Sequence, residues 1–382
     1  MNNKNHKPII FSFFSGSGFL DLGFERSGFE IRFVNEIHKP FHDAYIHSRK
    51  IMKLPSPIYG HHLESIEEYI YGDKKTSLKK LVKQSKQDSL VGFIGGPPCP
   101  DFSNGGKNLG HKGDNGRLTK EYVELIIAHK PDFFLFENVK GLLKTEKHRV
   151  FYNEIKSILL QNNYIITDSL VNSLEYGTPQ DRDRVILFGI NKKLLSKTQQ
   201  KNIEVEFSWK KHAIFNKDEM PKKSFWPQRE IYIPNTHKEC PDYLGEYVPL
   251  TVEYWFRKNN VLKHPNSSHY FQPRKGIIKF QTIQEGDDSG KSFKRLHRWR
   301  YSPTTAYGNN EVHLHPYQDR RLSAAEAMAI QSLPKEFELP ANMSLTDMFK
   351  TIGNGVPYLL SEAIAKSILN YLLTNAKLKL EK

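Results

Sequence analysis

The 382-residue sequence predicts an α/β protein with a second, smaller, loop-rich domain. Three observations carry that expectation. Through roughly the first 190 residues, short apolar runs alternate with segments of helical spacing, as in strands joined by crossover helices. A glycine-rich turn, Phe14-Ser15-Gly16-Ser17-Gly18, directly follows the first apolar run. After Lys192 the periodicity stops, and Pro, Asn, Lys and aromatic residues dominate to about Arg300.

The elements follow in order. Ile9 to Phe13 reads as a strand, and a helix runs from the glycine turn through Arg26. Ile31 to Val34 is a second strand. The lysine-rich segment Lys74 to Lys86 is a solvated helix or loop. Leu90 to Ile94 is a buried strand ending at Gly95-Gly96-Pro97-Pro98, Glu121 to His129 is a helix, and Phe133 to Phe136 is a short apolar strand. Val150 to Leu160 has helical spacing, and Tyr164 to Leu170 and Val185 to Ile190 complete the sheet. Helical periodicity returns at Ser323 to Leu333, where Ser323 and Glu326 have capping-box spacing. The last helix, Leu359 to Leu373, is apolar on one face.

Length and composition bound the rest. A single core rarely exceeds ~250–300 residues, so one large and one smaller domain are expected. With 38% hydrophobic and 12% aromatic residues the chain can fill a core and is not a disordered one. No apolar run approaches the ~18–20 residues of a membrane span. Met1 to Lys7 is polar and leads into a strand rather than a cleavage site, so an intracellular protein is expected. The two cysteines, Cys99 and Cys240, have no metal-ligand spacing, which argues against a structural zinc site. The formal net charge is +14. It reads either as a solvated lysine surface or as attraction to a polyanion. The stretches Lys192 to Lys223 and Lys258 to Arg300 favour the second. Phe207, Trp209, Phe225, Trp226, Tyr270, Phe271 and Trp299 lie in and between them and Tyr301 just after, a mixture suited to phosphate and base contact.

Four segments carry chemistry. Glycines let the first turn close tightly and let a ligand approach the backbone, and Glu36 stands where nucleotide-binding folds place a ribose-hydroxyl acceptor. A purely structural turn is an equal alternative. In the second segment, prolines flank Cys99 just after a strand, holding a sulfur that is nucleophilic as its thiolate. The alternative is a buried, inert cysteine. The third, Phe136-Glu137-Asn138-Val139, places a carboxyl near apolar neighbours, which raises its pKa and suits a proton donor. A capping or surface glutamate has the same spelling. The fourth, Thr178-Pro179-Gln180-Asp181-Arg182-Asp183-Arg184-Val185, alternates arginines that would share one strand face and offer fixed donors, or form an Asp–Arg surface ladder.

Together the four resemble the ordered signature of the cytosine-5 DNA methyltransferases of the bacterial restriction–modification type. Arg320-Arg321-Leu322-Ser323 through Gln331-Ser332-Leu333-Pro334 is similar to that family's penultimate motif, and Ile352-Gly353-Asn354-Gly355-Val356-Pro357 to its last. The resemblance implies a Rossmann-like S-adenosylmethionine-dependent methyltransferase fold. It implies a catalytic and cofactor-binding domain over 1–192 and a small domain over 193–335, with a target-recognition region at about 195–300. A C-terminal segment, 336–382, would return to the first domain. It implies Cys99 as the thiolate that adds to C6 of a flipped cytosine, Glu137 holding N3 and the exocyclic amine, and Arg184 on O2 with Arg182 supporting it. Phe14, Gly16, Ser17, Gly18, Glu36, Pro98, Leu118, Asn354 and Val356 would hold S-adenosylmethionine. Ser103, Asn138, Gln180 and Thr304 would serve the DNA or order its surroundings, with Thr305 competing for the role of Thr304. The resemblance also implies duplex DNA as partner, no metal and no membrane, a monomer on DNA in the bacterial cytoplasm at the nucleoid, and a cognate restriction endonuclease. Departures are Phe19 in place of a second consecutive glycine, His62 near the position of an adenine-contacting Asp, and Pro100-Asp101 after the cysteine. A tRNA-methylating relative would carry Cys-Phe-Thr in the variable region, but Cys240 precedes Pro241-Asp242. A catalytically silent relative would have lost the cysteine, the glutamate or the arginines, and all are present.

Overall fold

The computed structural model describes residues 7–98, 114–273, 277–290, 292–305, 307 and 312–376. Its first part comprises β1 (Ile9–Phe13), α1 (Phe19–Arg26), β2 (Glu30–Asn35), α2 (Lys39–Ile51), β3 (His61–His62), α3 (Glu67–Ile70), α4 (Lys74–Asp88) and β4 (Val91–Gly95). There follow α5 (Asp114–His129), β5 (Phe133–Val139), α6 (Gly141–Lys144), α7 (Glu146–Gln161), β6 (Tyr164–Asn172) and β7 (Asp183–Asn191). The remainder holds α8 (Lys197–Glu206), α9 (Val252–Lys258), α10 (Ile277–Thr282), β8 (Phe293–Arg295), β9 (Val312–Leu314), α11 (Ala324–Ile330), α12 (Leu345–Asn354) and α13 (Tyr358–Asn375).

Seven strands form one sheet in the order β3-β2-β1-β4-β5-β7-β6. The first five are parallel to one another, and β7 runs antiparallel between β5 and β6. Strand order reverses between β1 and β4, which opens a crevice at the carboxyl ends of those two strands. Both sheet faces are covered, so the strands read as continuous apolar runs. Phe11, Phe13, Phe93, Phe134 and Phe136 face Tyr122, Ile126, Phe151 and Ile155 of α5 and α7. Ile10, Ile94, Leu135, Ile186 and Phe188 face Phe24 of α1 and Leu360, Ile364 and Ile368 of α13.

The sequence reading ends the fifth strand at Phe136, but the structure carries it to Val139. The reason is the antiparallel partner: Glu137, Asn138 and Val139 pair with Ile186, Val185 and Arg184. The glutamate therefore lies in the ladder, not past it. Residues after Lys192 also do not leave the sheet at once. Leu195, Ile203 and Phe207 share the buried cluster of β7 and α13. A third cluster joins Phe19, Leu22 and Ala44 of α1 and α2 to Met328, Phe337, Phe349 and Ile352 of the C-terminal part.

Within the basic stretch Lys258 to Arg300, Lys258 and Lys263 are exposed, but three arginines turn inward, away from phosphate contact. Arg295, Arg298 and Arg300 are buried. Arg295 donates to the carbonyls of Ile283, His315, Gln318 and Phe280. Arg298 forks onto Glu285 at 2.8 and 2.9 Å, and Arg300 donates to Gly286 O and Asp288. Phe207, Trp226 and Trp299 are likewise core residues. A region with little regular secondary structure has many backbone carbonyls to satisfy, and an arginine satisfies several at once. The lysines between Lys193 and Lys223 are mostly exposed.

The first and last of these helices, α1 and α13, pack together. Ser361 Oγ donates to Leu20 O at 2.6 Å and Ser27 Oγ to Glu362 O at 3.2 Å. Gly23 makes the approach feasible, since a Cβ there would strike Ser361 Oγ and lie 2.6 Å from the Glu362 nitrogen. We predict that Gly23→Ala lowers stability by about 1–3 kcal/mol through overpacking. Urea denaturation measures this, and an unchanged midpoint would mean that the crossing relaxes freely.

Candidate active site

The glycine turn leaves β1 with Phe14 at φ 51°, Gly16 at φ 56° and Gly18 at φ 80°. A non-glycine residue in this left-handed region costs roughly 1–3 kcal/mol and marks a site that the surroundings over-determine. The Phe14 ring is held edge-on to Tyr122 at 6.1 Å. Glu36 sits just past the end of β2, buried, with both carboxylate oxygens engaged. Gly16 N–H donates to Oε2 at 2.9 Å and His38 N–H to Oε1 at 2.7 Å. Burial holds its pKa above the usual carboxylate range. Ser17 Oγ shares a hydrogen bond of 2.7 Å with Thr351 Oγ1 of α12. A Cβ built on Gly16 meets nothing within 4 Å among the described residues. The turn is a cradle with spare acceptor lone pairs on Glu36 beside it. His62, on β3 at the same edge, stacks on Phe33 at 4.4 Å and engages Tyr59 O through Nε2 at 2.8 Å.

At the end of β4 the two glycines are there for packing. A Cβ on Gly95 would lie 2.9 Å from the Tyr122 ring, and one on Gly96 would lie 2.7 Å from Glu137 Oε2. Pro98 is exposed beyond them, and Leu118 is partly buried on α5. Cys99 and Ser103 lie outside the described residues.

Glu137 and Arg184 meet across the β5–β7 ladder. Arg184 Nε lies 2.8 Å from Glu137 Oε1, and both side chains are about nine-tenths buried, at 9% and 10% exposure. Residues two apart on a strand share a face. Glu137 follows Phe133 and Leu135, and Arg184 precedes Ile186, so both project to the α1/α13 side. Burial raises the Glu137 carboxyl above its ordinary pKa despite opposing pulls from Arg184 and Arg182. Burial also lowers the pKa of Arg184. Such a carboxyl holds a proton near neutrality more readily than an exposed one, and it has a fixed cation at its side.

Arg182, expected from the resemblance to support Arg184, is held in a network of backbone carbonyls. It is fully buried, and its guanidinium donates to Thr305 O at 2.9 Å, Gly353 O at 2.7 Å and Gly355 O at 3.1 Å. It clamps three chain segments together. Gln180 belongs to the same knot, its Oε1 accepting from Thr305 N and Oγ1 at 3.1 Å each. Of the two threonines, Thr305 is buried there, while Thr304 is only partly buried and its Oγ1 donates to Asp181 O at 2.6 Å. Asn138 is buried with its Nδ2 unpartnered among the described residues. Asn354 is exposed at the end of α12, and Val356 is buried against Ile10 and Leu20.

Sequence reasoning did not single out Thr351 or Gln331. Gln331 Nε2 donates to Thr305 Oγ1 at 3.1 Å and to Ile352 O at 2.5 Å. Gln331 stands inside the penultimate motif, which was the available signal, whereas nothing in the sequence marks Thr351. Among the described residues, Glu230, Glu285 and His297 have the spacing of metal ligands. Lys238 at 2.8 Å from Glu230 and Arg298 on Glu285 already supply their counter-charge.

A model of the family described as C-5 cytosine-specific DNA methylase matches residues 9–370. The chain is 54% identical over 373 residues to the Type II methyltransferase M.NmeDI of Neisseria meningitidis serogroup C, covering 97% of this chain and 86% of that one. It is 28% identical over 379 residues to the Type II methyltransferase M.FnuDI of Fusobacterium nucleatum, covering 97% of each. A solved E. coli chain designated a prophage-encoded DNA modification methyltransferase shares the fold with a TM-score of 0.64 at 21% identity, covering 96% of this chain and all of that one.

We predict that Arg182→Met costs about 3 kcal/mol or more, because it strips hydrogen bonds from several buried carbonyls at once. Thermal denaturation tests this. A variant as stable as the parent would show that those carbonyls find other donors.

Proposed function

The chain belongs to the C-5 cytosine-specific DNA methylase family, and on that premise we propose how its own residues divide the labour. The protein is a DNA cytosine-5 methyltransferase of the Type II restriction–modification kind. The donor we assign is S-adenosylmethionine, which when bound supplies a methyl group to C5. The residues suit it: the space at Gly16 that no described residue fills, the Glu36 carboxylate with free lone pairs for ribose hydroxyls, and the strained Phe14. Ser17, Gly18, Pro98, Leu118, Asn354 and Val356 complete the pocket in our reading. His62, whose Nε2 engages Tyr59 O and whose Nδ1 lies 4.0 Å from Glu64 Oε1, stands at the adenine end of the pocket in our reading.

Cys99 adds as a thiolate to C6 of the target cytosine. The ring then carries enamine character, and C5 becomes nucleophilic. Glu137 keeps a proton at N3 and accepts from the exocyclic amine, which limits negative charge in the ring. Arg184 offers its guanidinium to O2. Loss of the C5 proton and then of the sulfur restores aromaticity. Arg182 and Gln180 hold the walls, and Asn138, Ser103 and Thr304 order the chain around the base. The base must leave the duplex, at a cost of roughly a few kcal/mol. In this reading 1–192 is the catalytic domain, about 195–300 contains the target-recognition region, with its first residues packed on the sheet, and 336–382 returns to the first domain. The enzyme acts as a monomer on duplex DNA in the bacterial cytoplasm, at the nucleoid, beside an endonuclease of the same specificity.

One observation carries this reading. The Glu137–Arg184 pair lies at the carboxyl edge of the sheet, over Gly96, three residues before Cys99 in the chain.

The first test is bisulfite sequencing of DNA from cells expressing the protein, which should show one cytosine modified in one short sequence context. We predict that Cys99→Ser loses methyl transfer while retaining DNA binding, and that duplex DNA carrying 5-fluorocytosine is trapped covalently by the parent. Turnover by the serine variant, or no adduct, would remove the covalent route. A further prediction concerns Glu137. Its proton-donating form exists below its raised pKa and is lost above it. The rate at saturating substrates should therefore fall as pH rises past the ordinary carboxylate range, and Glu137→Gln should lower kcat by ~10²–10⁴ and abolish that limb. An unaltered pH profile in the glutamine variant would assign the proton elsewhere.

A further inference from the structure

Two glycines of the turn differ in their surroundings. No described residue lies within 4 Å of a Cβ built on Gly16, whereas Gly18 is tightly packed. A Cβ on Gly18 would lie 2.5 Å from the Tyr45 ring and 2.8 Å from an Arg49 Nη2. Tyr45 and Arg49 are one turn apart on α2, and the guanidinium stacks on the tyrosine ring at 4.3 Å. Arg49 Nη2 donates to Gly18 O at 2.7 Å, and its Nε pairs with Glu25 Oε2 at 2.8 Å. Tyr45 Oη donates to Asp21 Oδ2 at 2.9 Å, and Asp21 Oδ1 accepts from Ser12 Oγ at 2.8 Å. The cluster ties β1, α1 and α2 to a single carbonyl of the turn.

We propose that Arg49 is a positioning residue for the methyl-donor pocket, fixing the glycine turn through the Gly18 carbonyl; this rests on the reading that the turn and Glu36 hold the donor. Two arguments carry it. A buried ion pair is a poor device for stability alone, since well-packed apolar residues of similar volume often serve as well or better. What an apolar side chain cannot do is donate to Gly18 O. A turn with left-handed residues at 14, 16 and 18 has broad conformational freedom in its glycines, and a ligand gains affinity when that freedom is already removed. The Arg49 donor removes it at Gly18, while no described residue fills the space at Gly16.

The test compares Arg49→Met, which keeps bulk but loses the donors, with Arg49→Lys, which can still reach a carbonyl. S-adenosylhomocysteine affinity by calorimetry is read beside donor KM, DNA KM, kcat and Tm. In Arg49→Met the product affinity and donor KM should weaken roughly tenfold, with kcat at saturating donor and DNA KM within about twofold of the parent, and Arg49→Lys should recover most of the loss. A folded Arg49→Met whose donor KM stays within about twofold, or whose donor KM, DNA KM and kcat all worsen in step with Tm, overturns the proposal. If Arg49→Met does not fold, Tyr45→Phe, which frees the ring from Asp21, should raise donor KM about threefold, and no rise overturns the proposal. Glu36→Ala separates the two levels. If it leaves S-adenosylhomocysteine affinity intact, the donor-site reading fails; if it weakens affinity while Arg49→Met does not, only the role of Arg49 fails.

Discussion

The antiparallel seating of β7 beside β5 is the constraint on which the site depends. Five parallel strands bring their carboxyl ends to one edge, and a sixth parallel neighbour would have brought only another carboxyl end there. Because β7 runs the other way, its first residues arrive at that edge and set Arg184 against Glu137 on one face. The pairing extends β5 by three residues, so the carboxyl group is held by a ladder and not by a loop. Its burial and its cation then follow from position. Gly96 completes the arrangement by leaving the carboxyl room.

Around that pair the protein spends its buried polar groups on backbone. Arg182, Gln180 and Gln331 join the segment before β7, the residues near Thr305 and the end of α12 into one knot. Ser17 and Thr351 link the knot's helix to the glycine turn. The glycine turn, the segment before β7 and the end of α12 are thus parts of a single hydrogen-bonded body. This is why motifs scattered from Phe14 to Val356 converge at one edge of the sheet.

Much of this was legible in the sequence, for identifiable reasons. Strands flanked by glycine and proline announced themselves, as did the Ser323–Glu326 box, whose reciprocal hydrogen bonds are both formed. Glu36 was readable because its spacing from Gly16 is set by one strand–helix–strand unit. The extent of β5 was not, because strand ends depend on a partner distant in sequence. Which carbonyls Arg182 clamps was hidden for the same reason: its partners Thr305, Gly353 and Gly355 are distant in sequence. The buried cluster under Gly18 was invisible too, since Tyr45 and Arg49 lie on a helix that the sequence pattern did not reveal.

The inward turn of Arg295, Arg298 and Arg300 has an evolutionary corollary. A loop-rich region stapled by its own arginines owes little of its shape to the side chains on its outside. Those outer positions can be exchanged without unravelling the scaffold. With target recognition placed in this region, as proposed, drift in what the enzyme reads is decoupled from retention of the frame, so new specificities become accessible by small surface changes, each tolerable alone.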